Sequence, residues 1–170
     1  MKTLTIRWQR LLDEKGQTCE RCGLTGKEVQ KALAALRKSM RPVGIRVVLE
    51  QEALSPEACV KDISQSNRIW IAERPLEEWL GAETGKSPCA SCCAQLGDAV
   101  ECRTIAVGGK TYEAIPAELI IRAGLRAGTQ LLEAPARDAC CPPSGSTQPK
   151  DSGCCPRSAQ CQDRCAPTKE

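Results

Sequence analysis

The hydrophobic pattern of residues 1–132 predicts an α/β fold, and three observations carry that reading. Residues 3–8 and 44–50 are β-rich segments. Between them Val29, Leu33, Leu36 and Met40 fall on one face of a helix. From Glu133 to the end the chain has no Ile, Leu, Val, Met or aromatic residue, so it adds a low-complexity tail rather than a second core. The expected organisation is therefore one domain over 1–132 and a cysteine-rich tail over 133–170, disordered or ordered by metal.

Residues 3–8 alternate in polarity, as a half-buried strand does. A polar loop then leads to CERCG at 19–23. Thr25 and Glu28 stand at capping-box spacing and mark a helix start, although Gly23 and Gly26 loosen it. Pro42 and Gly44 end that helix. Ser55 followed by Pro56 opens a short helix over 55–62. RIWI at 68–71 is a third strand, and PLEEWLG at 75–81 offers one helical turn. CASCCAQLGDAVEC at 89–102 is placed in a loop. Gly108 and Gly109 supply the two-residue turn of a β-hairpin. Pro116 opens the last helix, whose polar stripe is Glu118, Arg122, Arg126 and Gln130, with the remainder apolar and expected against a sheet.

Composition narrows the chemistry. The chain has 170 residues, no Phe and no His, so Leu, Ile, Val and Ala must build the core around Trp8, Trp70 and Trp79. Lys and Arg number 24 against 21 Asp and Glu, and the tail is neutral with five of each sign. No basic stripe with interleaved aromatics is present, so nucleic acid is not an expected partner. No apolar run is long enough for membrane insertion. The first fifteen residues are interrupted by charge and predict no signal peptide. The expected location is cytoplasmic. In a reducing cytosol 13 cysteines point to metal or redox chemistry rather than a disulfide framework. The absence of His excludes Cys-His zinc sites, a Cys-His nucleophile and a Ser-His-Asp triad. No nucleotide or flavin signature is found.

Strand, CxxC, helix and second strand together resemble the thioredoxin-like fold. More closely, MKTLTIRWQRL, CERCG, SNRIWIAERPLEEWLGAE, SPCASC and GKTYEAIPAELIIRAG resemble an uncharacterised prokaryotic family, domain-of-unknown-function family 2703. The resemblance covers 1–132 and leaves the tail outside. It implies a thioredoxin-like mixed sheet flanked by helices, and no particular activity. Thioredoxin-like enzymes carry a cis-proline before the third core strand. Here that place reads Gln65-Ser66-Asn67-Arg68.

Three cysteine groups are candidates. Cys19 and Cys22 sit where a helix N-terminus favours a thiolate, with Arg21 and Lys27 adding charge. In an oxidoreductase Cys19 is the exposed attacking thiolate and Cys22 the resolving thiol. Half of a zinc site and an idle pair are the alternatives. Cys89, Cys92, Cys93 and Cys102 suffice for a four-thiolate site, structural zinc being the plain reading. That group can also join Cys19 and Cys22 in space, across the 66 residues between Cys22 and Cys89. Its spacing fits neither common ferredoxin pattern. Cys59 reads as a small buried hydrophobe.

In the tail, Cys140, Cys141, Cys154, Cys155, Cys161 and Cys165 lie in a segment that cannot order itself by burial. Coordination can: a zinc ion supplies on the order of 10–16 kcal/mol to a small thiol peptide. Vicinal pairs suit soft ions such as copper(I), zinc, mercuric ion and arsenite. The arsenic metallochaperone family shares vicinal cysteines and a thioredoxin-like domain with this chain, as analogy only. Three functions follow as expectations. One is binding and delivery of a soft metal or metalloid. Another is a thiol-disulfide oxidoreductase or thiol-dependent reductase. The third is a domain that binds a protein partner, with structural zinc at the 89–102 cluster. A thiol electron donor or a metal transporter is the partner class the first two imply.

Overall fold

The computed structural model of the chain describes residues 1–13, 15–90, 92 and 101–134. The remainder, including Cys93 and all six tail cysteines, lies outside the described residues.

The first strand, β1 (Lys2–Leu11), carries Leu4, Ile6 and Trp8 into the core. The helix α1 (Glu20–Met40) starts five residues before Thr25, with Cys19 as its extended N-cap. Thr25 and Glu28 therefore do not cap α1. Thr25 is fully buried, and its Oγ1 accepts a hydrogen bond from Ile115 N at 3.1 Å. Glu28 Oε2 accepts one from Ala117 N at 3.0 Å. The pair serves the start of the last helix, a partner about ninety residues away that local spacing does not reveal. Gly26 also has a packing reason: a Cβ there would lie 2.6 Å from the Trp8 ring. Gly44, at φ 75, turns the chain into β2 (Ile45–Leu54).

β2 runs parallel to β1, from Lys2↔Ile45 to Leu11↔Leu54. A short helix, α2 (Pro56–Lys61), follows, and Ser55 Oγ accepts from Ala58 N as its cap. β3 (Arg68–Ile71) is antiparallel to β1, and the two-residue β4 (Arg74–Pro75) is antiparallel to β3. The order β2-β1-β3-β4 makes a mixed sheet, and the chain is a mixed α/β protein. α3 (Leu76–Leu80) packs back, with Trp79 Nε1 donating to Ile71 O at 2.9 Å.

A second, antiparallel sheet has the order β5-β6-β7: β5 (Glu83–Pro88), β6 (Glu101–Val107) and β7 (Lys110–Tyr112). The hairpin turn falls at Gly108 and Gly109, both at positive φ, as its Gly-Gly sequence predicts. β5 was not expected, because ETGKSP is exposed at five of its six positions and offers no apolar alternation to read.

The last helix, α4 (Ala117–Glu133), packs against β1 and β3 of the first sheet, as expected, and also against α1 and α3. Its contact with α1 is close: a Cβ on Gly124 would meet Leu36 at 2.6 Å, and one on Gly128 would meet Met40 at 2.7 Å. Small residues let the two helices approach closely, while Leu125 and Leu132 stay exposed. One buried cluster joins both sheets and includes Cys19, Cys22, Cys89, Cys92 and Cys102. Among the described residues no helix is long and apolar enough to cross a membrane.

Candidate thiol site

Three chain segments bring thiols to one place. The β1–α1 junction supplies Cys19 as N-cap and Cys22 in the first turn of α1. Cys89 follows the end of β5, and Cys92 lies three residues on. Cys102 is the second residue of β6, paired with Ser87 on β5. The Sγ atoms of Cys19, Cys89 and Cys92 lie within 4.8 Å of one another. Cys102 Sγ is 3.1 Å from Cys92 Sγ. A thiolate set around zinc, with bonds of about 2.3 Å, has sulfur–sulfur edges of about 3.8 Å. The thiols need small shifts to close on an ion. This is a cysteine group that could hold a metal.

The site is sealed. Cys19 is 3% exposed, Cys89 4% and Cys92 fully buried. Cys19 is therefore not the exposed attacking thiolate that the CxxC motif suggested. Its burial is an effect of tertiary packing that the motif does not encode.

Proximity also splits the acidities. Hydrogen bonds from Cys22 and then Cys92 hold the Cys19 thiol far below its ordinary value, against the opposing effect of burial. Cys22 is pushed up, first as the donor to Cys19 and then by burial. Cys102 is lowered to about 7, chiefly by Cys92. Cys92 is raised by its hydrogen bonds with Cys102 and Cys19, and burial adds to this. Burial raises Cys89. The shifts of Cys19 and Cys102 run downward and those of Cys22, Cys89 and Cys92 upward.

Polar neighbours complete the site. Ser66 Oγ lies 3.7 Å from Cys22 Sγ and accepts from Leu11 N at 3.3 Å. Ser66 thus stands beside the CxxC in the segment where the resemblance would have placed a proline. Asn67, at φ 56, receives the Trp8 Nε1–H at 3.4 Å and donates to Glu113 O at 3.3 Å. Arg21, between the two cysteines of the motif, reaches Ser87, Pro88 and Glu113.

Of the candidates named from sequence, Cys19, Cys22, Cys89, Cys92 and Cys102 meet in this cluster. Cys93, Cys140, Cys141, Cys154, Cys155, Cys161 and Cys165 fall outside the described residues. Cys59 is fully buried, as a small hydrophobe would be. Sequence reasoning pointed to the 65–68 segment as the place facing the CxxC but assigned Ser66 and Asn67 no role of their own, and it gave Arg21 only a charge. Their roles depend on long-range contacts.

Residues 4–124 match the family described as a domain of unknown function, DUF2703. A protein of Archaeoglobus fulgidus, described as uncharacterized, is 41% identical over 117 residues, which is 69% of this chain and 82% of the relative. No solved structure matches the chain. The match runs from β1 into α4 and includes each of the clustered cysteines, and on it the chain belongs to the DUF2703 family.

Proposed function

We propose that this domain binds a soft, thiophilic metal or metalloid ion through Cys19, Cys89 and Cys92, with Cys102 as a further ligand, and hands it on. The observation that carries the reading is the convergence of three buried Sγ atoms within 4.8 Å, drawn from two distant parts of the chain. Thiolate ligands select soft and borderline ions such as copper(I), zinc, mercuric ion and arsenite. A buried thiolate is costly without a cation. Arg21, at the edge of the site, is already paired with Glu113 at 2.8 Å. Arsenite needs no external redox partner: three thiols condense with As(OH)3 to give As(SR)3 and three waters. The tail pairs Cys140-Cys141 and Cys154-Cys155, with Cys161 and Cys165, are a source of relay ligands from which the ion would be taken or to which it would pass. A cytoplasmic setting, where such thiols stay reduced, fits this role.

A second reading is a thiol-disulfide oxidoreductase on a thioredoxin-like domain. Its support is the strand–CxxC–helix order and the Cys22 hydrogen bond that lowers Cys19. Cys19 would attack a disulfide sulfur, and Cys22 would resolve the mixed disulfide, leaving a Cys19–Cys22 disulfide and two substrate thiols. Burial of Cys19 weighs against it.

The test is uptake of zinc(II), copper(I) and arsenite by reduced protein under anaerobic conditions. The background is the full chain carrying Cys140→Ser, Cys141→Ser, Cys154→Ser, Cys155→Ser, Cys161→Ser and Cys165→Ser. Uptake of one ion, lost in Cys89→Ser, supports the binding reading. Absence of uptake, with disulfide turnover that Cys19→Ser abolishes, would favour the enzyme instead.

A further inference from the structure

Arg21 is one of the two residues between Cys19 and Cys22, yet its side chain leaves α1. Nη1 donates to Ser87 Oγ at 2.8 Å and to Ser87 O at 3.3 Å. Nη2 donates to Pro88 O at 2.6 Å and pairs with Glu113 Oε1 at 2.8 Å. Ser87 Oγ donates to the same Glu113 oxygen at 2.8 Å. Pro88 is the residue immediately before Cys89, and Ser87 pairs with Cys102 across the β5/β6 ladder. Glu113 follows β7, and its backbone carbonyl accepts from Asn67.

Resting on the binding reading above, we propose that Arg21 is a positioning residue for the ion: it latches the Cys19 segment to the Cys89 segment and so preforms a ligand set drawn from both. The geometry has a specific logic. A guanidinium is a planar fork that holds several acceptors in fixed directions, which a lysine ammonium does not do. Both of its terminal nitrogens are used, and every partner lies outside α1. The two carbonyls it holds belong to β5, and the nearer one in sequence is joined by a peptide bond to Cys89. The Arg21 side chain is 17% exposed and that of Glu113 is 52% exposed, so the ion pair is half sheltered and Glu113 can be changed without opening the core.

Side chains that orient ligands without touching the ion commonly cost 10–100-fold in affinity when removed. In the serine-tail background, Arg21→Ala is therefore expected to weaken zinc affinity by roughly 10–100-fold, and Arg21→Lys to recover only part of it. Glu113→Gln is expected to weaken it less. The Arg21→Ala/Glu113→Gln pair should be non-additive, because both act through one network.

The second measurement needs no metal. In reduced, metal-free protein, site-resolved alkylation should speed up at Cys89 on the order of tenfold in Arg21→Ala, the equivalent of one charge-assisted hydrogen bond. Cys59 should be unchanged. If parent protein takes up none of zinc(II), copper(I) and arsenite but Arg21→Ala still exposes Cys89 selectively, the latch stands and the ion-binding reading falls. If zinc affinity and Cys89 alkylation both match the parent, the latch is overturned. A uniform rise in alkylation at Cys59 and Cys89 alike, in Glu113→Gln as well as Arg21→Ala, would mark a general prop of the fold and would also overturn it.

Discussion

Cys92 is the thiol whose loss should cost most. It lies within 4.8 Å of Cys19 and Cys89, and 3.1 Å from Cys102. Its replacement by Ala acts in two separable ways. In metal-free protein the change removes a small buried group, a loss of about 1 kcal/mol. In the loaded protein it also removes a ligand. Four thiolates sharing on the order of 10–16 kcal/mol gives roughly 2.5–4 kcal/mol each. That corresponds to a roughly 70- to 900-fold weaker site. The assay is urea unfolding of the serine-tail protein with and without zinc, at a free concentration of about 100 times the parent Kd. The parent should gain about 2.7 kcal/mol from zinc, and Cys92→Ala about 0.5 kcal/mol or less. Cys59→Ala is the control, because Cys59 is also fully buried and free but lies outside the three-thiol group. It should keep the whole zinc increment. Equal zinc stabilisation in Cys92→Ala and parent, or equal loss in both variants, would refute the assignment.

Other residues give further tests. Gly26→Ala sets a methyl 2.6 Å from the Trp8 ring; overpacking of about 1–3 kcal/mol, less about 1 kcal/mol of helix propensity, should leave a net loss near 1 kcal/mol by urea unfolding and shift the Trp fluorescence. A more stable variant would contradict that packing. Thr25→Val leaves the Ile115 N–H buried without its acceptor and should cost about 1–3 kcal/mol, read as a lower Tm. Burial, with neighbouring Cys102 adding to it, raises the Cys59 thiol from 9.0 to about 11. A raised folded value means that its stabilising contribution is complete below pH 9.0 and declines as pH rises toward about 11. Metal-free protein should therefore lose stability between those values, and Cys59→Ala should lose less; an equal decline in both would show that Cys59 does not titrate there.

The sequence announced most of the elements because their signals are local. RIWI at β3, the Gly108-Gly109 turn, Ser55 as the α2 cap and the apolar face of α1 each depend on neighbours a few residues away. The failures share the opposite property. Thr25 and Glu28 have capping-box spacing but cap α4, because Ile115 and Ala117 fold back onto α1. β5 exists through its pairing with β6 and has no hydrophobic pattern of its own. The site follows the same division. Cysteine chemistry and the absence of His were legible at once, and so were Cys19, Cys22, Cys89, Cys92 and Cys102 as the residues to watch. Their meeting was one open reading among several, since 66 residues separate Cys22 from Cys89 and no periodicity spans that distance. The burial of Cys19 and the reach of Arg21 across to Pro88 are likewise products of tertiary packing.

Native mass spectrometry tests the central claim most directly. The serine-tail protein, purified reduced and anaerobically and then exposed to zinc(II), copper(I) or arsenite in turn, should carry one ion per chain with at least one of them. For arsenite the added mass should be one arsenic less three hydrogens, the signature of three sulfur bonds. The same chain with Cys19→Ser, Cys89→Ser and Cys92→Ser should carry none. An unloaded parent, or a triple variant loaded as fully as the parent, would contradict the account.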